Sequence, residues 1–452
     1  MKHFQIFYIL IILFFTGSFI SCKKYLETKP DKKLVTPSTL ADLQAILDYT
    51  PNMIVATYSD EASADNYYLT TGDWGNVADE GQRRMYSWEK DNFYMGISSD
   101  WGLAYRKVYY ANTVLDALPG IEVNPAKKNE RDNIKGQALF IRATTFWNIA
   151  RIWSLAYDIN NSSTDRGIPL RLNADFNEHS VRASVKETYE RILFDLKSAA
   201  PLLPLIPIHP VRASRVAAYG YLSKVYLSMR NYELAGLYAD SCLQYNNRLL
   251  NYNTLDSNAA LPFRPFNVET IFYTVSGQSL ISPSIARIDS LLYQSYAAND
   301  LRRIMFFKKN VNGSVNFKGT YSGSGDLFSG LATDEMYLTR AECFARAGNT
   351  ASAMNDLNFL LITRFKTATF VPRVAVDAAD ALKQILSERR KELVMRFTRW
   401  IDIKRLNKEG ANITLTRILN NQAYTLSPNS LRYALPLPED VLALSGMEQN
   451  PR

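Results

Sequence analysis

Apolar residues recur at three- and four-residue steps through most of the chain after residue 37, which is the period of amphipathic helices. The first predicted helix spans 40–47 and follows Thr39, whose hydroxyl can accept a hydrogen bond from the first helical turn. The same period predicts further helices at 101–118, 127–157, 184–200, 212–229, 231–245, 334–347, 350–364, 378–406 and 438–445. The pattern therefore predicts a mainly α fold.

Two of the predicted helix pairs repeat each other. Four positions of the first pair recur 118 residues later with matching chemistry: Tyr219, Ser223, Tyr226 and Ala235 correspond to Tyr337, Ala341, Phe344 and Ala353. An aromatic residue, a small residue four positions on, a second aromatic and an alanine in the next helix are typical of tetratricopeptide repeats. A weaker partial copy begins at Leu139. We therefore expect tetratricopeptide-like helices near 138–157, 212–245 and 334–364, separated by inserted segments.

Two stretches interrupt the helical period. Segment 246–333 is rich in Asn, Ser, Gly and Pro and contains short runs of strand-forming residues, and segment 51–100 has a similar but more aromatic composition. Long irregular segments attached to a rigid scaffold are where binding usually occurs. Both are therefore predicted to be loop-rich insertions, with a few short strands, that hold the ligand.

The N-terminus has the form of an export signal over residues 1–21. Lys2 and His3 precede an apolar run that is too short to cross a membrane comfortably. The run ends in Phe19-Ile20-Ser21-Cys22, which resembles the lipobox of bacterial lipoproteins and implies that Cys22 carries lipid, palmitate included. The Lys-rich stretch 22–36 then reads as a tether. The alternative is an ordinary cleaved signal with an incidental cysteine.

Composition removes several classes of function. The chain has 452 residues, a formal net charge of +8, three cysteines and three histidines. No disulfide framework is possible, and no Cys/His spacing fits a metal, so we predict no metal and no cofactor. No phosphate loop, dinucleotide fingerprint or nucleophile elbow occurs, and we predict that the chain is not an enzyme. A carboxylate pair for glycoside hydrolysis has no fixed spacing, so a hydrolase stays open as a distant alternative.

The basic residues of segment 388–405 could contact nucleic-acid phosphates. Acidic residues are interleaved with them, and Glu392 and Arg396 stand four positions apart on one predicted helix face. We therefore predict internal ion pairs and no nucleic-acid partner.

Blocks of residues along nearly the whole chain resemble the SusD/RagB family of outer-membrane lipoproteins. In chain order they are Cys22-Lys23-Lys24-Tyr25-Leu26-Glu27 with Pro30, Trp101 with Tyr105, Ala111-Asn112-Thr113-Val114-Leu115, 138–143, 167–170, 182–185, Arg340-Ala341-Glu342, Glu388 to Leu393, Leu435 to Glu439 and Gln449-Asn450-Pro451. A single block is weak, but their order along the chain is specific to the family.

The resemblance implies a helical protein that is lipid-anchored to the outer membrane and exposed at the cell surface. Such a protein binds a nutrient, usually an oligosaccharide, and caps a SusC-like TonB-dependent transporter, with the tetratricopeptide face toward the transporter. The acidic residues that often follow the anchor cysteine are replaced here by Lys23 and Lys24. Surface exposure therefore rests on the resemblance alone. Binding of peptides or another nutrient stays open as the alternative.

Sugar rings have apolar faces that stack on aromatic side chains, while Asn, Asp and Arg bind their hydroxyls. Segment 51–100 offers this mixture, and its predicted ligand-binding residues are Tyr67, Tyr68, Asp73, Trp74, Trp88 and Tyr94. A second possible cluster is Tyr293, Tyr296 and Tyr321. Trp101 and Tyr105 match scaffold positions of the family and are assigned to packing. For every one of these aromatics the alternative is core packing.

Overall fold

The computed structural model describes residues 37–452 except 92, 95–98 and 278. The predicted signal, the predicted lipidation site Cys22 and the predicted tether to residue 36 lie outside the described residues. The helices are α1 (Leu40–Leu47), α2 (Thr50–Met53), α3 (Ser59–Ser63), α4 (Thr71–Gly75), α5 (Glu80–Tyr86), α6 (Asp100–Ala117), α7 (Lys128–Trp153), α8 (Val185–Ala199), α9 (Arg215–Ser228), α10 (Tyr232–Leu243), α11 (Ser290–Gln294), α12 (Arg302–Met305), α13 (Thr333–Arg346), α14 (Thr350–Leu361), α15 (Ala378–Glu392), α16 (Arg399–Asn407) and α17 (Glu439–Ser445). None of these helices is long and apolar enough to span a bilayer.

The strands are short and mostly antiparallel. They are β1 (Tyr67–Tyr68), β2 (Arg166–Pro169), β3 (Arg182–Ser184), β4 (Thr270–Phe272), β5 (Val275–Ser276), β6 (Arg287–Ile288), β7 (Phe307–Lys309), β8 (Val315–Phe317), β9 (Leu327–Phe328), β10 (Leu331–Ala332), β11 (Leu415–Leu419) and β12 (Gln422–Leu426). One sheet has four strands in the order β1-β6-β8-β7, and the others are pairs. Seven of the twelve strands fall in segment 246–333, as predicted.

The long helices stack into a solenoid in which each packs on its neighbour, from α6 through α7, α8, α9 and α10 to α13, α14 and α15. The repeated small residues lie where adjacent helices approach. Ala235, Ala341 and Ala353 are fully buried, and the Ser223 hydroxyl donates to the Ala235 carbonyl at 2.8 Å. A small side chain at these positions lets the helix axes come close. The predicted mainly helical, tetratricopeptide-like fold is confirmed.

One predicted helix is wrong. The structure divides 378–406 into α15 and α16, and between them Met395 and Phe397 have positive φ angles of 57° and 58°. Distant partners hold the break: the Phe397 amide donates to Glu61 at 2.9 Å and its carbonyl accepts from Arg151 at 2.8 Å. Because the cause lies far away in the chain, the local period could not show it.

The break also makes the predicted pairing of Glu392 with Arg396 wrong. Arg396 instead contacts Asp334 at 3.2 Å, and Glu392 accepts from Arg302 at 2.9 Å and from Arg364 at 2.6 Å. Internal ion pairing of this segment is nevertheless confirmed. Among its neighbours, Arg389 contacts Asp402 at 2.8 Å and Lys391 contacts Glu388 at 2.7 Å, with all four side chains buried. Buried cations with internal partners are not free to contact phosphates.

Candidate functional site

The aromatic part of segment 51–100 is built around one internal guanidinium, that of Arg417 on β11. Buried and exposed side chains alternate along this strand, which directs Arg417 inward. Its Nη2 donates to the carbonyls of Ala62 and Ala64 at 2.9 Å and 2.7 Å, and its Nη1 donates to the carbonyl of Tyr86. The guanidinium carbon lies 3.8 Å from the ring centroid of Tyr86 and 4.5 Å from that of Trp88. Cation–π contact and backbone hydrogen bonds together fix the segment against the hairpin of β11 and β12.

Three of the predicted ligand-binding residues are part of this core. Tyr67 is 3 % exposed, Trp88 1 % and Tyr94 5 %. Their polar ends are used internally: the Tyr67 hydroxyl donates to Ala62, the Trp88 indole to Ser63 and the Tyr94 hydroxyl to Ser59, at 2.8 Å, 3.0 Å and 3.0 Å. Burial raises the pKa of both tyrosines above the ordinary range. Core packing replaces the predicted stacking role for these three residues, because no ring face is open to a sugar.

The other three predicted residues form a partly exposed patch, which we call the Trp74 surface and define as Tyr68, Asp73, Trp74 and Arg287. Tyr68 and Arg287 are cross-strand partners of β1 and β6, and an Nη2 of Arg287 lies 3.4 Å from an Asp73 oxygen. Trp74 is half-buried on α4 and donates its indole N–H to the Arg83 carbonyl at 3.1 Å. One edge of its ring is therefore fixed. The two predicted ligand segments, 51–100 and 246–333, meet in this sheet.

Arg287 was missed from the sequence, because it stands alone in a segment without a strong pattern. Its position follows from the β1–β6 pairing. Its Nη1 donates to the carbonyls of Ser284 and Ile285 at 3.1 Å and 2.6 Å, which orients the guanidinium. An oriented guanidinium beside a carboxylate and an aromatic ring supplies the polar and apolar groups that a sugar needs.

The second predicted cluster does not assemble. Tyr293 and Tyr296 both contact Phe307, whereas Tyr321 packs on Phe263. Tyr296 and Tyr321 are each 1 % exposed, and their hydroxyls donate to the Lys391 carbonyl and to Glu269 at 2.7 Å and 2.9 Å. Core packing is therefore their role as well.

A separate cavity lies elsewhere, between α6, the loop that joins β2 to β3, and residues 441–447. Its volume is about 510 Å³, and we call it the α6 groove. Trp101 and Tyr105 form part of its wall. The packing assignment is confirmed for Trp101, which is 5 % exposed against Trp153, whereas Tyr105 is only half-buried. The signal that could have pointed here is the polar run at 173–180, interrupted by Phe176.

Comparison with known proteins identifies relatives of the whole chain. A family model described as starch-binding and associating with the outer membrane matches residues 24–227, and one described as the SusD family matches 331–452. SusD-like protein P2 of Formosa agariphila is 24 % identical over 538 aligned positions, covering all of both chains.

Solved structures give the same result for the fold. A SusD superfamily protein of Bacteroides thetaiotaomicron superposes with a TM-score of 0.74 at 21 % identity, covering 92 % of this chain and all of that one. A laminarin-binding SusD-like protein superposes with a TM-score of 0.64 at 17 % identity, covering 91 % of this chain and 98 % of that one. At these identities the superpositions establish the architecture, and what each relative binds is a property of that relative.

Proposed function

Since the chain belongs to the SusD/RagB family, we propose that it is a lipid-anchored outer-membrane protein that binds an oligosaccharide and delivers it to a SusC-like TonB-dependent transporter. In this proposal it binds its ligand without hydrolysing it and needs no cofactor. Cys22 carries the lipid, and the folded part lies at the cell surface. The observation that carries the binding function is the meeting of the two irregular segments at the Trp74 surface.

The Trp74 surface has the chemistry that carbohydrate recognition requires. The indole of Trp74 is held by its hydrogen bond to Arg83, so little conformational entropy is lost when a sugar ring stacks on it. Asp73 precedes Trp74 on α4 and pairs with Arg287, and the two side chains, 24 % and 17 % exposed, provide an acceptor and donors for sugar hydroxyls. Tyr68 extends the aromatic area. We propose Tyr68, Asp73 and Trp74 as ligand-binding residues together with Arg287.

Replacing Trp74 with alanine is expected to weaken glycan binding about tenfold, which corresponds to about 1.4 kcal/mol of lost stacking. Affinity electrophoresis in gels that contain laminarin or starch measures the change. Trp74→Phe keeps a ring and should retain most of the affinity, which separates stacking from the hydrogen bond to Arg83. Equal mobility of wild type and Trp74→Ala in a gel that retards the wild type would place the site elsewhere. Trp88→Ala is not a useful probe, because Trp88 is buried.

The solenoid supports the transporter part of the proposal. Its helices expose large apolar side chains at Phe194 on α8, Leu237 on α10 and Phe359 on α14, each more than half exposed. We infer that these exposed apolar side chains, one on each of three solenoid helices, belong to the surface that the transporter contacts. With the transporter on the solenoid, the two ligand segments, which contain β1, β6, β7 and β8, remain available to bind the glycan.

A photo-reactive residue in place of Leu237 is expected to crosslink to a large outer-membrane protein in cells. The same residue at Val311, in the turn between β7 and β8, is the matched control, because it is fully exposed but belongs to a ligand segment. Mass spectrometry of the adduct identifies the partner. Adducts from both positions alike, or from neither, would contradict a transporter interface on the solenoid.

A further inference from the structure

The α6 groove is separate from the Trp74 surface and has an aromatic wall of its own. The rings of Tyr109 and Phe176 are in tilted contact, with ring centroids 4.7 Å apart and planes inclined by 31°. Trp101 and Tyr105 form a second ring pair one and two helical turns earlier on α6, with centroids also 4.7 Å apart. A volume of about 510 Å³ lies in the range of small-ligand sites.

Phe176 is 79 % exposed, although its neighbours on both sides, Asp175 and Asn177, are polar. The loop is nevertheless fixed. Asn112 of α6 donates to the carbonyls of Arg171 and Asn173, both at 2.9 Å, and the Ala174 amide donates to Asp116 at 2.7 Å. These contacts hold the start of the loop against α6 and keep the Phe176 ring beside Tyr109. An exposed aromatic ring on an anchored loop is a feature of ligand sites.

The Asn112 side chain is itself held in place by Arg142 of α7. Its side-chain oxygen accepts from Nη1 of Arg142 at 3.0 Å, and Arg142 forms a buried ion pair with Asp195 of α8 at 2.8 Å. The floor of the groove is therefore connected through hydrogen bonds to three solenoid helices. Such support keeps a binding surface in one shape before the ligand arrives.

Charge restricts what the groove can bind. Arg171 is the one lysine or arginine among the described residues that line it, and Asp175 and Glu178 are the carboxylates. The Arg171 guanidinium is occupied: it donates to the carbonyls of Asp175 and Glu178 and, at 3.3 Å, to the Ser180 hydroxyl, and it lies 3.7 Å from the Glu178 carboxylate. No guanidinium is left to bind a uronic acid or a sulfate group, and the two carboxylates would repel either.

We propose that the α6 groove is a second carbohydrate site, specific for uncharged sugars, in which a pyranose ring stacks on Tyr109 and Phe176. This inference rests on the proposed carbohydrate-binding function. Asp175, Asn177 and His179 line the same wall and supply acceptors and donors for the sugar hydroxyls. The Tyr109 hydroxyl makes no hydrogen bond with another described residue, so it can donate to the ligand. Two separate sites on one chain would let a long glycan be held at two points, which strengthens binding beyond either site alone.

Isothermal titration calorimetry with laminarin, starch and polygalacturonate oligosaccharides tests the groove. The wild type is expected to bind a neutral oligosaccharide, and Phe176→Ala and Tyr109→Ala are each expected to weaken that binding about tenfold. Tyr245→Ala is the matched control, because Tyr245 is an exposed tyrosine just after α10 that does not line the groove. Because Phe176 is exposed, removing its ring leaves the fold intact, and a loss of affinity in Phe176→Ala therefore reports on the ligand.

The outcomes separate this inference from the proposed function. If Trp74→Ala weakens binding while Phe176→Ala and Tyr109→Ala bind like wild type, the groove is not a carbohydrate site and the proposed function stands. If the groove variants lose polygalacturonate binding, the groove accepts charged sugars and its specificity is overturned. If the wild type binds none of the three oligosaccharides, the groove and the proposed carbohydrate function both fail.

Discussion

Replacing Arg364 with methionine is expected to lower the free energy of unfolding by about 3–5 kcal/mol, because it leaves the buried Glu269 without its cation and removes one of the two arginines that contact the buried Glu392. Arg364 is fully buried, and its guanidinium contacts Glu269 at 2.8 Å and Glu392 at 2.6 Å. It also donates to the Leu250 carbonyl at 2.8 Å and covers the ring of Tyr252 at 4.2 Å. One side chain therefore ties the insertion that follows α10 to the end of α14 and to α15. Urea denaturation followed by circular dichroism measures the loss.

The loss should depend on pH. Burial raises the pKa of Glu269 from 4.5 to about 7, against the opposing charge of Arg364. A carboxyl with a raised folded-state pKa stabilises the fold below its unfolded pKa, and this stability is lost as pH rises through the folded pKa. Without Arg364 the pKa of Glu269 rises further. We therefore expect the loss of unfolding free energy, variant against wild type, to be at least about 1 kcal/mol larger at pH 8 than at pH 5.

The matched control is Arg373→Met. Arg373 contacts Glu388 at 2.9 Å, but its side chain is 35 % exposed and Glu388 keeps the two other cations Arg302 and Lys391. The expected loss is under about 1 kcal/mol. A similar loss for both variants, or a loss for Arg364→Met that does not change with pH, would refute the account of the buried charges.

Replacing Trp153 with alanine is expected to cost about 3–5 kcal/mol of unfolding free energy through the cavity that it leaves. Trp153 is fully buried at the end of α7, with the ring of Trp101 at 5.1 Å in an edge-to-face contact and that of Tyr94 at 5.7 Å. It therefore packs on both α6 and the aromatic segment. Thermal unfolding of the purified variant measures the effect.

Trp153→Phe should recover a large part of the loss, because it refills much of the volume and keeps a ring against Trp101. If Trp153→Ala lowers the free energy of unfolding no more than Trp153→Phe does, the edge-to-face contact with Trp101 does not stabilise the fold. Because Trp101 also forms part of the wall of the α6 groove, the alanine variant is expected to bind a neutral oligosaccharide less tightly even where it remains folded.

The sequence predicted the long helices well, because their apolar period reflects burial of one face against a neighbour. The division between α15 and α16 could not be predicted from the sequence. Residues 393–398 continue the helical period, and the break comes from bonds of Phe397 to Glu61 and Arg151, which lie more than 240 positions away. Local pattern shows what a segment prefers, and distant partners decide whether that preference is met.

The candidate site could likewise be predicted only in part, because distant partners decide which of its residues are buried. Aromatic residues among Asp, Asn and Gly look alike whether they line a surface or a core, so the sequence named six residues, of which three are buried. The residue that places these aromatic side chains in a core is Arg417, which donates to the Tyr86 carbonyl from 331 positions away in the chain. The Trp74 surface could be named in part. Arg287 depends on strand pairing, and the α6 groove depends on the packing of the 173–180 run against α6, which the composition of that run alone does not show.

During synthesis the aromatic segment is made well before Arg417, the cation around which it packs. A ribosome releases the aromatic segment long before it reaches Arg417, since 331 residues separate that arginine from Tyr86. Throughout that interval the rings of Tyr67, Tyr86 and Trp88 have no cation to enclose, and the carbonyls of Ala62 and Ala64 lack their donor. Contacts so distant in sequence form slowly, and the exposed rings favour aggregation meanwhile. Nascent chains that end before β11 should therefore be the ones that chaperones retain and proteases remove.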